Sequence, residues 1–140
     1  MFGSAFDLGL TTFYFGRYAN PLITSALFYV VRISCSEPKF FVPYDVDDTF
    51  DSVYPMGLVG RNLDRETFKT LYRRTLDSNE ELIKFRLNII GGLAWHKKKY
   101  PLFLCFENLL DGKSFCHREF LAEWILEKKI ANVEEIHDTI

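Results

Sequence analysis

The sequence predicts one α/β domain over residues 1–140, with a mostly parallel, Rossmann-like sheet flanked by helices. Short apolar segments rich in β-branched and aromatic residues alternate with longer segments whose apolar residues recur at helical spacing. A length of 140 residues is typical of one domain, and no repeat or linker divides the sequence. Alternating strands and helices favour a parallel sheet covered by helices.

The predicted elements begin and end at residues that suit those positions. Asn62 and Asp64 are candidate N-caps of the first helix, and the segment 77–79 separates it from the second. The prolines and acids of the segment 37–61 indicate a long irregular connection, which is often functional. In chain order we predict strands at 11–15 and 26–34, helices from about 65 to 76 and from about 80 to 96, a strand at 102–108, a helix from about 116 and a strand at 133–136.

Charge and hydropathy exclude several classes of protein. With 17 basic and 19 acidic residues, the net charge of −2 gives no overall sign of nucleic-acid binding. The first ten residues lack the basic and apolar regions of a signal peptide. The longest apolar stretch, 26–31, is far shorter than the roughly 20 residues that cross a bilayer. We therefore expect a cytoplasmic protein that does not enter the membrane.

The three cysteines are Cys35, Cys105 and Cys116. Their odd number and wide spacing argue against a disulfide framework, so we expect three reduced thiols. A zinc site is not expected either, because no two cysteines have the spacing of structural zinc ligands. Cys105, Cys116 and His117 are a candidate ligand set, but the last two are adjacent and are expected to diverge on a helix. We predict no metal and no other cofactor.

Polar side chains follow the central predicted strands, where ligands of parallel α/β sheets usually bind. They belong to the end of the second strand, the end of the third strand and the start of the last helix. We expect these three segments to meet at one edge of the sheet. The predicted site residues are Arg32, Cys105, Glu107, Asn108, Cys116, His117 and Arg118.

Three of these residues are candidates for catalysis. A thiol at Cys116 would lie at a helix N-terminus beside His117, where the thiolate is favoured. Glu107 is a candidate general acid or base. The alternative for Cys116 is a small buried residue of the core.

The remaining candidates suit an anionic ligand. Arg32 and Arg118 are expected to bind a phosphate or carboxylate, with Cys105 and Asn108 beside them. Alternatively, Arg118 forms an ion pair with Glu107 and braces the turn against the strand. The two interpretations are compatible, because a phosphate-bearing ligand such as a nucleotide would compete with Glu107 for Arg118.

The segment 102–125 resembles the domain of unknown function 488 family. The resemblance rests on an apolar strand that ends in Cys-x-Glu, followed by Cys-His-Arg at a helix start and Leu-Ala-x-Trp within that helix. The segments 11–15 and 31–34 are similar to the first two strands of that family, although Val30 stands where an Asp often precedes Val-Arg. The resemblance implies a compact α/β domain with polar residues at one sheet edge, in a family of bacteria, archaea and their viruses. It also implies a link to nucleotide or nucleic-acid metabolism, but no assigned reaction.

Three functions follow as hypotheses. The first is a pocket, enzymatic or not, for a phosphate-bearing molecule such as a nucleotide. The second is an interaction protein whose polar cluster is structural, which fits the many aromatic residues and the long loop. The third is a nucleic-acid-binding accessory that uses Arg73, Arg74 and the lysines at 97–99.

Overall fold

The computed structural model describes residues 5–106 and 116–137 and confirms the predicted fold class: this part of the chain is one α/β domain with a five-stranded, entirely parallel sheet. Short 3-10 turns precede the first strand and follow the third. The strands are β1 (Thr12–Arg17), β2 (Phe28–Arg32), β3 (Asp48–Thr49), β4 (Tyr100–Cys105) and β5 (Asn132–Glu135). The helices are α1 (Arg65–Ser78), α2 (Glu80–His96) and α3 (His117–Glu127).

The strand order in the sheet is β3-β2-β4-β1-β5. From β1 the chain moves to β2 and β3 at one edge, then returns to β4 and ends with β5 at the other edge. β2 and β4 are neighbours, with Val30 opposite Leu102 and Arg32 opposite Leu104. The connections after β2 and β4 leave the sheet in opposite directions, and the crevice between two such strands is where α/β sheets bind ligands.

The two faces of the sheet are covered differently. On one face, Phe13, Val31 and Phe103 pack against side chains of all three helices. On the other face, Val30 and Leu104 pack with residues of the irregular connections, including Tyr18, Ile23 and Tyr44. The three helices, which follow β3 and β4 along the chain, cover the first face. The irregular connections that follow β1 and β2 cover the second face.

The boundaries of the longer elements lie close to the prediction. Asp64 caps α1, since its carboxylate accepts a hydrogen bond from the backbone N–H of Thr67 at 2.8 Å. The short strand β3 lies in the segment that we predicted to be irregular, and this prediction is wrong at Asp48 and Thr49. Next to it, the Asp47 carboxylate accepts a hydrogen bond from the backbone N–H of Val30 at 2.8 Å. A two-residue strand has no alternation by which a sequence could reveal it.

Ion pairs connect α1 with α3 along their length. The three basic residues that form these pairs are spaced four residues apart along α1, and their acidic partners have the same spacing along α3. This constant offset shows that the two helices run side by side in the same direction. We call these pairs the α1–α3 ladder: Arg65–Glu119, Lys69–Glu123 and Arg73–Glu127.

Within the described ranges, none of the helices combines the length and the apolar character that crossing a membrane requires.

Candidate functional site

A cavity of about 330 Å³ opens at the carboxyl ends of β2 and β4. The chain after β2 contributes Ser34, Cys35 and Ser36, and the end of β4 contributes Cys105 and Phe106. The segment between β3 and α1, one residue of α1 and the start of the α3 region complete the wall. These residues are Pro55, Leu58, Val59, Gly60, Asn62 and Leu63, then Phe68 of α1, and Cys116 and His117. The cavity lies in the β2–β4 crevice, where the fold is expected to bind a ligand.

Cys105 and Cys116 meet at the wall of this cavity and are joined as a disulfide. Cys105 is the last residue of β4, and Cys116 is the N-cap of α3. The prediction that the chain has no disulfide is therefore wrong for this pair, whereas Cys35 is a free thiol. Sequence spacing could not show the pairing, because ten residues separate the two cysteines and only the fold brings them together. Their Cα atoms are 7.2 Å apart.

His117 is buried behind Cys116 in a defined orientation. Its Nε2 atom lies 2.6 Å from the backbone carbonyl oxygen of Ile33. A carbonyl oxygen can only accept, so Nε2 carries the proton and Nδ1 has a free electron pair. That Nδ1 atom lies 3.6 Å from the Cys116 sulfur. Burial lowers the pKa of His117 to about 4, with a further decrease from Arg118, so the ring is neutral at pH 7.

Arg118 is buried, with 1% of its surface exposed, and its guanidinium is fully engaged. Nε and Nη2 donate to the Glu135 carboxylate at distances of 3.0–3.2 Å. Nη1 donates to the Cys105 sulfur at 3.1 Å. The carboxylate that Arg118 contacts belongs to β5, whereas the predicted partner, Glu107, lies outside the described residues, so that ion pair stays a prediction. Arg118 therefore holds the sheet and Cys105 together and does not present a free cation to the cavity.

Arg32 does not join this cluster. Its guanidinium donates to the Tyr54 hydroxyl at 3.0–3.2 Å and pairs with Glu37 at 3.3 Å. Strand alternation places Arg32 on the loop-covered face with Val30, whereas Cys105 packs into the helix-covered core. Arg32 and Arg118 thus pair with different carboxylates, Glu37 and Glu135, and their convergence on one ligand stays a prediction.

The structure brings together Cys105, Cys116, His117 and Arg118, four of the seven predicted site residues. Glu107 and Asn108 lie outside the described residues, as does the predicted polar turn at 109–115.

Three of the clustered side chains have the composition of a metal site. The sulfurs of Cys105 and Cys116 and a ring nitrogen of His117 all lie within 4.8 Å of one another, and all three residues are buried. The expectation that Cys116 and His117 would diverge on the helix is wrong, because Cys116 precedes the helix as its N-cap.

The described wall of the cavity is polar at a few points but carries no charge at pH 7. Its polar side chains are the hydroxyls of Ser34 and Ser36, the amide of Asn62 and the neutral ring of His117, while Leu58, Leu63 and other apolar residues form much of the rest. Among the described residues, no Arg, Lys, Asp or Glu lines the cavity. Such a wall suits an uncharged, partly apolar molecule.

Two partners in the site were not predicted. Glu135 lies in the predicted last strand, and the signal in the sequence was strand alternation, which puts it on the same face as Val133. The Ile33 carbonyl gives no sequence signal, since any residue at that position would offer the same oxygen.

Comparisons with protein family models, with curated proteins and with solved structures find no match to this chain. The resemblance to the domain of unknown function 488 family therefore stays a prediction.

Proposed function

We propose that this chain is a ligand-binding domain that performs thiol–disulfide exchange in the cavity at the carboxyl edge of its sheet. The proposal rests on one observation: the sulfurs of Cys105 and Cys116 meet at the wall of that cavity. Buried structural disulfides commonly staple a core, but this one borders a space that can admit a small molecule.

The surroundings favour different roles for the two sulfurs. Cys116 is the more exposed, at 5% against 1% for Cys105, and lies at the N-terminus of α3, where a thiolate is stabilised. Cys105 receives a hydrogen bond from Arg118, which would stabilise a thiolate leaving from the disulfide. We therefore assign Cys116 as the attacking thiol and Cys105 as the resolving thiol.

The exchange then has two balanced steps. The Cys116 thiolate attacks a disulfide of the ligand, which releases one ligand thiolate and leaves a mixed disulfide on Cys116. Cys105 next attacks the Cys116 sulfur and releases the second ligand thiol. Two electrons pass from the protein dithiol to the ligand, and the Cys105–Cys116 disulfide forms. In a reducing compartment such as the cytoplasm, two cellular thiols would reduce the Cys105–Cys116 disulfide, becoming oxidised to a disulfide themselves, and so regenerate the protein dithiol.

The experiment mixes the reduced chain with bis(2-hydroxyethyl) disulfide, a small uncharged disulfide, and follows the products by mass spectrometry. Wild type should form the Cys105–Cys116 disulfide. The Cys105→Ser variant should instead accumulate the mixed disulfide on Cys116, because its resolving thiol is missing. Cys35→Ser is the matched control and should behave as wild type. Modification confined to Cys35 would overturn the proposal.

A phosphate-bearing ligand such as a nucleotide is a competing proposal for the same cavity. It is supported by the α3 N-terminus and the hydroxyls of Ser34 and Ser36 at the cavity wall. The full engagement of Arg118 and the uncharged wall favour a neutral ligand instead. Thermal unfolding with inorganic phosphate and with nucleotides distinguishes the two, since only a phosphate-binding cavity should be stabilised.

Nucleic-acid binding has weaker support. Arg73 pairs with Glu127 in the α1–α3 ladder, which reduces the positive field that a phosphate backbone would meet. Lys97 lies over the ring of Tyr29, 5.6 Å from its centroid. Titration of the chain with a labelled oligonucleotide at low salt tests this proposal.

A further candidate function is that of an interaction protein. It is favoured by apolar side chains that are exposed on the long connection between β2 and α1. Phe41 is 87% exposed, and Phe40, Met56 and Val59 are also exposed. The simplest occupant of such a surface is a second copy of the chain. Light scattering across a range of concentrations should then show a dimer that Phe41→Ser weakens, and a monomer throughout would exclude this occupant.

A further inference from the structure

We propose that the reduced chain binds one zinc ion through the sulfurs of Cys105 and Cys116 and the Nδ1 atom of His117. This inference does not depend on the exchange reaction, because a dithiol can bind a metal without exchanging with disulfides. The zinc site belongs to the reduced form of the protein, in which the disulfide between Cys105 and Cys116 is broken.

The first argument is the orientation of His117. Because Nε2–H donates to the Ile33 carbonyl, the free electron pair is on Nδ1, which faces the Cys116 sulfur. Histidines that bind metals commonly donate their other N–H to a backbone carbonyl, which fixes the ring and its tautomer. The hydrogen bond to Ile33 thus holds the ring in the orientation in which Nδ1 can bind a metal.

The second argument is distance. Zinc bonds of about 2.3 Å to sulfur and about 2.1 Å to nitrogen, at tetrahedral angles, place the two ligand atoms roughly 3.6 Å apart. The Cys116 sulfur and Nδ1 of His117 are 3.6 Å apart. This pair already has the spacing of two zinc ligands.

The third argument concerns room for the second sulfur. Two thiolates on one zinc ion lie about 3.8 Å apart, so reduction must let the Cys105 and Cys116 sulfurs separate. The Cα atoms are 7.2 Å apart, whereas bonded cysteines usually have Cα atoms about 4.4–6.8 Å apart. The backbone thus leaves space between the two side chains for an ion.

The fourth argument is charge. Two buried thiolates would carry an uncompensated charge of −2, which Zn²⁺ would cancel. Arg118 is already balanced by Glu135, and its N–H bond to the Cys105 sulfur suits a metal-bound thiolate. Binding releases two protons, one from each thiol. Soft thiolate ligands with one imidazole select zinc over magnesium or calcium.

Among the described residues these three supply the ligands, which leaves one of four tetrahedral positions without a described ligand. All three residues line the cavity, so that position would face the space where a ligand could bind. Zinc with three protein ligands and an open position is the arrangement found in catalytic sites rather than structural ones.

The test uses the reduced, full-length chain. Zinc is added, the excess is removed by gel filtration, and elemental analysis should find one zinc per chain. Cobalt in place of zinc should give the charge-transfer absorption of thiolate ligands. Cys105→Ser, Cys116→Ser and His117→Gln should each weaken binding by at least tenfold, whereas Cys35→Ser should bind as wild type.

A second measurement needs no variant and so does not depend on how the variants fold. Zinc should slow the alkylation of Cys105 and Cys116 in wild type, while Cys35 reacts at an unchanged rate. Protein oxidised to the disulfide should bind no zinc. Equal alkylation rates with and without zinc, or metal that depends on Cys35, would overturn the inference. Zinc binding without disulfide exchange would instead count only against the proposed function.

Discussion

The guanidinium of Arg118 and the carboxylate of Glu135 lock the start of α3 to the end of β5. Nη2 lies 3.0 Å from one carboxylate oxygen, and Nε shares its proton between both oxygens at 3.1 and 3.2 Å. The fourth contact of the same guanidinium, to the Cys105 sulfur, extends this lock to β4. One side chain therefore fixes three elements around the site.

We predict that Arg118→Ala destabilises the chain by roughly 3 kcal/mol, the low end for a broken buried pair because Glu135 keeps 24% of its side chain exposed. Arg118→Lys should cost less, since it keeps the charge but loses the planar fork. Urea unfolding of the single variants and of Arg118→Ala/Glu135→Gln gives the coupling. Additive effects would show that the pair contributes little.

Arg32→Ala is the matched control for that cycle. Arg32 also pairs with a carboxylate, but its partner Glu37 is 80% exposed. A pair of that kind is worth at most about 1 kcal/mol. If Arg32→Ala lowered the free energy of unfolding as much as Arg118→Ala, the two ion pairs would not differ in the way that their exposure predicts.

His117 should make the stability of the metal-free, disulfide-bonded chain fall in mild acid. Its pKa is about 4 when folded because of burial, and about 6.5 when unfolded. Between these values the unfolded state binds a proton that the folded state does not, so acid favours unfolding. The loss should be about 2 kcal/mol between pH 7 and pH 5.

The groups that face the ring are the Ile33 carbonyl, the Tyr72 ring, the Arg118 guanidinium and the Cys116 sulfur, and that sulfur does not titrate while it is in the disulfide. His117→Gln keeps a donor for the Ile33 carbonyl but cannot bind the extra proton. Urea unfolding at both pH values should show a smaller loss in this variant. An equal loss in both proteins would assign the effect to other groups.

The stability that the α1–α3 ladder contributes should depend on the charges of its residues, and salt should weaken that dependence. Arg73→Glu places two acids together and should cost about 0.5–1 kcal/mol, because both partners are partly exposed. Adding Glu127→Arg restores an opposite pair and should recover most of that loss. Thermal unfolding at low and at 1 M salt measures the effect, which screening should reduce. A loss unchanged by salt would point to packing instead.

Replacement of two adjacent glycines of α2 by alanine should change the stability of the protein differently at the two positions. A Cβ atom at Gly92 would meet only ordinary contacts at 3.9 Å or more, so Gly92→Ala should stabilise the helix by about 0.5–1 kcal/mol. A Cβ atom at Gly91 would come within 2.9 Å of Phe6 and 3.2 Å of the buried Phe13 ring. Gly91→Ala should therefore gain nothing or destabilise. Equal thermal shifts in the two variants would refute this difference.

The sequence revealed elements wherever a periodic pattern was long enough. The spacing of Phe68, Leu71 and Tyr72 predicts the buried side of α1, and the apolar run before Arg32 predicts β2. β3 was not predicted, because a strand of two residues is too short to show a periodic pattern. Local pattern thus accounts for the layers of the fold but not for its shortest strand.

The site was less accessible to sequence reasoning, because its contacts join distant segments. The motif predicts Glu107, which lies outside the described residues, as a partner of Arg118, and gives no sign of the contact that the structure shows with Glu135 on another strand. Likewise, Cys105 and Cys116 meet only because β4 ends beside the start of α3. Such pairings depend on how elements pack, which spacing along the chain does not encode.

The way in which the sheet ends bears on the behaviour of the protein at high concentration. An open strand edge can recruit the edge of another molecule and begin aggregation. Here one edge is the two-residue β3, and beside it the Asp47 carboxylate occupies the backbone N–H of Val30. The other edge is β5, which carries Glu134 and Glu135. Both edges are thus short, so neither offers a second molecule a long template on which to add a strand.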